Sequence, residues 1–175
     1  MSRYSTRLTI SAVALALVAA ACTGGGSPDG GDAAEVPAGD PAPTTAFVRF
    51  DGSSATFADY AGTPLVVNWW ASWCPSCVAE MSAAFKPAQE ALGDRVTFVG
   101  MNLQDERSKA EELVAETGVL FELAEDPDGT LYVELGGLGM PFTIFIGADG
   151  NVVEEHNGPL SEQQLVDMIE ELLLS

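Results

Sequence analysis

The uncharged run Leu65-Val66-Val67-Asn68-Trp69-Trp70 leads within four residues into Cys74-Pro75-Ser76-Cys77, and this junction limits what the chain can fold into more than any other stretch. The run is β-branched and aromatic, which suits a central, fully covered strand. Cys74 falls where the chain turns into a helix, and Pro75 suits that helix's first turn. A thiol at a helix N-terminus faces unpaired backbone N–H groups and the positive end of the helix dipole, which favour thiolate over thiol. Cys77, one turn later, lies within reach to close a disulfide. The pair makes a reversible two-electron switch.

Two other uses of a C-x-x-C pair fit less well. A zinc site needs about four ligands, and the chain offers beyond this pair only Cys22 and His156 as cysteine or histidine. No metal is therefore assigned. A purely structural disulfide would enclose two residues, a loop too small to constrain the unfolded chain much.

A length of 175 residues allows one domain with extensions. Arg3 and Arg7 precede an uncharged, mostly apolar run from Leu8 to Ala21, then Cys22. Those 14 residues are too few to span a bilayer, which takes about 20; with Ala19-Ala20-Ala21 they read as a secretory signal over residues 1–21. A cysteine directly after them resembles a bacterial lipobox, in which Cys22 becomes the acylated first residue, although Ala19 stands where leucine is commonest. Cleavage after Ala21 without lipidation would instead leave a free thiol. Residues 23–45 are dominated by Gly, Pro, Ala, Asp, Ser and Thr and read as a flexible tether. The expected organisation is signal 1–21, lipidated cysteine and linker 22–45, and folded domain 46–175.

The net charge is −19, and removing residues 1–21 takes away two arginines and no acid, giving −21. Such a surface repels a phosphate backbone and excludes nucleic acid as a partner.

From Ala46 onward strand-like and helix-like segments alternate. Phe47–Phe50 and Ala55–Phe57 flank a turn at Asp51-Gly52. Strand 65–70 precedes a helix from Pro75 to Leu92 ended by Gly93, and Val96–Leu103 is the next strand. Glu106–Thr117 reads as a helix stopped at Gly118, and Asp128–Leu135 as a short helix. Phe142–Ile146 and Asn151–Glu154 form a hairpin around Asp149-Gly150, and Ser161 begins a last helix. The fold class is α/β, a mixed central sheet flanked by helices, with an N-terminal β-hairpin extension.

The stretch Val66–Met81, VVNWWASWCPSCVAEM, resembles the active-site signature of the TlpA/ResA/CcmG (DsbE)-type membrane-tethered thiol-disulfide oxidoreductases. Gly139-Met140-Pro141-Phe142-Thr143 resembles that family's cis-proline segment. The resemblance covers roughly residues 46–174 and implies a thioredoxin fold with a central insert. It makes Cys74 the nucleophile and Cys77 the resolving thiol, with Pro75 and Ser76 tuning the thiolate. Pro141 would be cis and face Cys74, leaving the Met140 backbone to pair with an incoming peptide. Trp73 would lie beside the thiols as a contact surface, whereas at least one of Trp69 and Trp70 belongs to the core. Asn68 stands where thioredoxin has a buried aspartate, and an amide cannot act as a general base. Members of this branch often carry a carboxylate after the next strand, which points to Asp105 or Glu106 for the proton of Cys77; an acidic helix N-terminus complementing the dipole is the other reading. Glu80-Met81 matches the family's Glu-Met. The proline that often follows is Ser82 here, leaving Pro87 to kink the helix later. His156 is expected at the surface.

The resemblance thus implies an extracytoplasmic, lipid-anchored oxidoreductase that needs no cofactor and acts on protein cysteines, with a membrane redox partner supplying or removing electrons. Family weight favours a reductase, as in cytochrome c maturation, over an oxidase or isomerase of secreted proteins. A copper-binding chaperone of similar fold would have three residues between its cysteines and a partner histidine. A thiol peroxidase would need a threonine shortly before its cysteine and a nearby arginine.

Overall fold

The structure, a computed structural model, describes residues 39–175. The expected signal segment, Cys22 and most of the linker lie outside the described residues. The chain begins with Asp40–Pro41 (β1), the hairpin strands Phe47–Arg49 (β2) and Ser54–Ala55 (β3), and a 3-10 turn over Phe57–Tyr60. Leu65–Trp70 (β4), Pro75–Glu80 (α1), a π-helical turn Met81–Phe85 and Lys86–Leu92 (α2) follow. Then come Thr97–Leu103 (β5), Arg107–Thr117 (α3), Glu122–Asp126 (β6) and Thr130–Glu134 (α4). Phe142–Ile146 (β7), Asn151–Asn157 (β8) and Glu162–Leu173 (α5) complete it.

The eight strands of the described residues form one mixed sheet in the order β1-β8-β7-β4-β5-β6-β2-β3. β4 lies in its middle, parallel to β5 and antiparallel to β7. Every residue of β4 is buried, Asn68 included, as its uncharged β-branched and aromatic run predicts. Its side chains alternate between two cores. Val66 and Trp70 pack with Met81, Phe85, Phe98, Leu165 and Ile169 under the long helices. Leu65, Val67 and Trp69 pack on the other face with Met101, Leu131, Phe142 and Ile144. Both tryptophans are therefore core residues, one on each side of the sheet.

Local chemistry accounts for most element boundaries. Gly118 ends α3 at φ +68°, the left-handed cap that a glycine takes without strain. Ser161 and Gln164 form a reciprocal capping box at the start of α5. The helix expected from Pro75 to Leu92 is helical throughout, with a π turn over Met81–Phe85 set into it. Pro87 has no N–H and its ring would clash with the carbonyl four residues back. The chain accommodates it one turn earlier, where the Lys86 N–H reaches back five residues to the Met81 carbonyl.

Two strands have no counterpart among the sequence expectations. β6 reads Glu-Leu-Ala-Glu-Asp, with three acids and little β propensity; pairing with β5 on one side and β2 on the other makes it a strand. β1 pairs with Val152 and Asn151 of β8, so the described fold begins before Ala46, inside the segment read as linker. β8 also runs on to Asn157, three residues past the expected end.

Gly100 of β5 lies opposite Asn68 of β4. A Cβ there would come within 2.6 Å of the Phe121 ring and 2.8 Å of the Trp70 Nε1. Both neighbours are rings packed in the helical-face core. Gly100→Ala is therefore expected to destabilise the domain by about 1–3 kcal/mol through overpacking, read as a lowered urea midpoint at unchanged slope.

Candidate active site

β4 delivers the chain to the end of the sheet, and the loop Ala71–Trp73 turns it into α1. Cys74 is the N-cap of α1, and its Sγ accepts the Cys77 N–H at 3.2 Å. The two cysteines are joined in a disulfide. Cys74 is 5% exposed and Cys77 fully buried, so only Cys74 offers an edge to a partner. The Ser76 Oγ lies 3.4 Å from the Cys74 Sγ and donates to the Met140 carbonyl at 3.5 Å. This bond ties the redox turn to the Met140-Pro141 segment, whose peptide bond is cis. Asn157 steadies that segment, its Oδ1 accepting the N–H groups of Leu138 at 2.7 Å and Gly139 at 3.3 Å. Leu138, 89% exposed, and Trp73, 58% exposed, are among the few large apolar side chains left open to solvent.

Asp105 and Glu106 follow β5 and, with Ser72, Trp73, Gln104 and Lys109, line a cleft of about 520 Å³. The Asp105 carboxylate accepts the Ser72 N–H at 2.6 Å, the Ser72 hydroxyl at 2.7 Å, the Asn102 amide at 3.1 Å and the Glu106 N–H at 2.8 Å. Burial alone would raise its pKa, but the hydrogen bonds from Ser72, Asn102 and Glu106 outweigh burial and hold it below the usual carboxylate value. An acid so satisfied fastens the loop before Cys74. Glu106 stands at the N-cap position of α3 without a side-chain capping bond, and pairs with Lys109 at the surface. The Trp73 indole N–H donates to the Gln104 carbonyl at 3.1 Å, closing one wall of the cleft.

The carboxylate on the helix with the thiols is Glu80, three residues after Cys77 and 4% exposed. Its Oε1 accepts the Leu160 N–H at 2.6 Å, and its Oε2 the Asn68 Nδ2 at 3.4 Å. Burial pushes its pKa up to about 7 from an ordinary 4.5, against the two hydrogen bonds, which pull it down. A buried carboxyl titrating near neutrality is matched to accepting and returning a thiol proton. The signal for it in the sequence is an acid within the helix's apolar stripe, between Cys77 and Met81, Ala84 and Phe85. His156 is half-buried on β8 opposite Thr143. Among the described residues, no group of three or more His, Cys, Asp or Glu side chains is arranged to hold a metal ion.

Because the Glu80 pKa is raised by folding, its contribution is stability present below about pH 4.5 and lost as pH rises through 7. For the oxidised protein, replacing it by the neutral isostere (Glu80→Gln) should leave stability unchanged at pH 4. It should gain on the native protein by about 3 kcal/mol by pH 8. Urea unfolding across that range measures the difference; a difference that stays flat with pH would refute the assignment.

A family model described as Redoxin matches residues 37–173. The thiol:disulfide interchange protein DsbE of Pseudomonas fluorescens biotype C is 35% identical over 136 residues, 75% of this chain and 74% of that protein. DsbE of Yersinia pestis is 40% identical over 103 residues, 58% of this chain but 53% of that protein, so the match spans about half that relative's length. Among solved structures, MTB dsbF superimposes with a TM-score of 0.67 at 27% identity, covering 74% of this chain and 95% of that one. A secreted Mycobacterium tuberculosis disulfide oxidoreductase homologous to E. coli DsbE gives 0.66 at 25%, covering 74% and 96%. The fold is that of thioredoxin, and the chain belongs to the redoxin family, within the branch of the DsbE-type thiol:disulfide interchange proteins.

Proposed function

We propose that this protein exchanges disulfides with cysteine-containing extracytoplasmic proteins, working as a reductase held to the membrane by a lipid on Cys22. The observation that carries the redox reading is the Cys74–Cys77 pair at the start of α1, with Cys77 sealed from solvent and Glu80 one turn below it. The anchor rests on the signal-like segment and Cys22. The direction rests on the kinship with DsbE proteins, and a role in cytochrome c maturation or a similar pathway follows from the same kinship.

In the reducing direction the Cys74 thiolate attacks one sulfur of a partner disulfide. A mixed disulfide forms, and the first partner sulfur leaves as a thiolate and takes a proton from water. Glu80 accepts the Cys77 proton, and the Cys77 thiolate attacks the Cys74 sulfur. The second partner sulfur leaves, two electrons have passed to the partner, and the pair is again the disulfide seen in this structure. A membrane dithiol donor then returns it to the reduced form. Trp73 and the Met140 backbone flank the partner peptide, and Pro75, Ser76 and Pro141 shape the surface on which it lies. The proton role goes to Glu80; Asp105 positions the loop, and Glu106 starts α3.

Cys77→Ala is expected to accumulate a covalent adduct with partner proteins that dithiol releases, and Cys74→Ala none. A reduction potential near or below about −270 mV, followed by tryptophan fluorescence in dithiol buffers, supports a reductase; one above about −200 mV makes the protein an oxidant or isomerase. The double variant Asp105→Asn with Glu106→Gln should keep the native pH dependence of Cys77 alkylation, whereas Glu80→Gln should flatten it. The reverse result returns the proton to Asp105 and Glu106.

A further inference from the structure

Three buried polar side chains from three elements meet behind the redox helix. Asn68 of β4 and Thr143 of β7 are fully buried and directly opposite one another, and Glu80 of α1 is nearly so. The Asn68 Nδ2 spends both its protons here, one on the Thr143 Oγ1 at 3.0 Å and one on the Glu80 Oε2 at 3.4 Å. The Asn68 Oδ1 is buried and has no partner. A buried amide oxygen left bare is costly, so its retention calls for a physical reason.

The reason lies in what Glu80 must do. An amide is neutral and presents a donor on one side and an acceptor on the other, exchanged by half a turn of its terminal group. Toward a Glu80 carboxylate, Nδ2 is the correct atom, as seen. Toward a protonated Glu80, whose hydroxyl needs an acceptor, Oδ1 is correct. The Thr143 hydroxyl follows the turn, accepting from Nδ2 in one state and donating to Oδ1 in the other. One amide atom is orphaned in either orientation, so neither protonation state of Glu80 is left without its partner.

The surroundings leave this to Asn68. Among the described residues, no cationic side chain pairs with Glu80. On its own helix the titratable groups are Cys74 and Cys77, joined in the disulfide. The carboxylates of α5 (Glu162, Asp167, Glu170 and Glu171) are exposed. His156 on β8 lies opposite Thr143 and makes no hydrogen bond to Glu80. The segment before α5 contributes the Leu160 N–H, which only donates.

We propose that Asn68, backed by Thr143, is a positioning residue for thiol–disulfide exchange: by turning its amide it holds Glu80 both as carboxylate and as acid, so that the Cys77 proton can arrive and leave. This rests on the reading that Glu80 handles that proton. The proton passes from the Cys77 sulfur to a Glu80 oxygen as the thiolate attacks Cys74, and passes on to water afterwards.

The test uses the full-length protein in detergent with 13C-labelled glutamate, following the infrared carbonyl band of the protonated carboxyl that Glu80→Gln removes. Asn68→Leu takes away the donor at similar volume, and its Glu80 midpoint should rise by about one pH unit. Asn68→Asp keeps the shape, adds a like charge, and should raise the midpoint further, which covers the case in which the leucine variant does not fold. In Asn68→Leu, which adds no second titrating group, the pH profile of exchange with a model protein disulfide should move by the same amount. A midpoint unmoved in folded Asn68→Asp overturns the proposal and reduces Asn68 to packing. A midpoint that moves while Glu80→Gln leaves the exchange profile unchanged overturns it differently, by removing Glu80 from the reaction.

Discussion

β4 is closed off on every side. Strands bond both its edges, and each face carries a separate core, with Trp70 in one and Trp69 in the other. An indole buried in this way removes roughly 150–250 Å² from water, on the order of 4–6 kcal/mol each as an upper bound. A strand so held does not slip, since a shift of one residue would exchange its two core faces. The position of Cys74 follows from that immobility, because only Ala71, Ser72 and Trp73 separate the end of β4 from the thiol. Asp105 then fastens this short loop to the end of β5, through both the N–H and the hydroxyl of Ser72.

The site separates its two inner carboxylates by environment. Asp105 is surrounded by donors, and its charge is an anchoring point for backbone and side chain alike. Glu80 sits where donors are few and water is excluded, so its charge is costly and its proton is readily kept. Similar groups on neighbouring elements are thus left in different states: one is held as a charged anchor for a loop, the other keeps its proton more readily, as the proposed exchange with Cys77 requires. The outer surface is simpler. A mostly acidic exterior is interrupted by Trp73, next to Cys74, and Leu138, before the cis-proline segment, two apolar side chains open to solvent.

Covalent spacing and local chemistry were readable directly. The C-x-x-C pair, the two-sided strand ahead of it, the Gly118 stop and the capping residue Ser161 all depend on neighbours within a few positions. The cis Met140-Pro141 bond was anticipated through family resemblance and is seen here. β6 was not legible, since Glu-Leu-Ala-Glu-Asp becomes a strand only by lying between β5 and β2. The π turn was not legible either, because Pro87 signals a disturbance without stating which register the preceding turn adopts.

The proton-handling group shows the division most sharply. By itself the sequence determined the redox chemistry, because two thiols one helical turn apart after a buried strand suffice to define a dithiol switch. It also supplied acids near the motif, and the family resemblance pointed to Asp105 or Glu106 for the proton of Cys77 while giving Glu80 no such role, because sequence position does not show which acid is buried. The tertiary structure decided among their environments. A carboxyl's proton affinity depends on the solvent and dipoles around it, and those come from Ser72 and Asn102 in one case and from Asn68, Thr143 and Leu160 in the other. These neighbours are brought together only when strands distant in sequence pair.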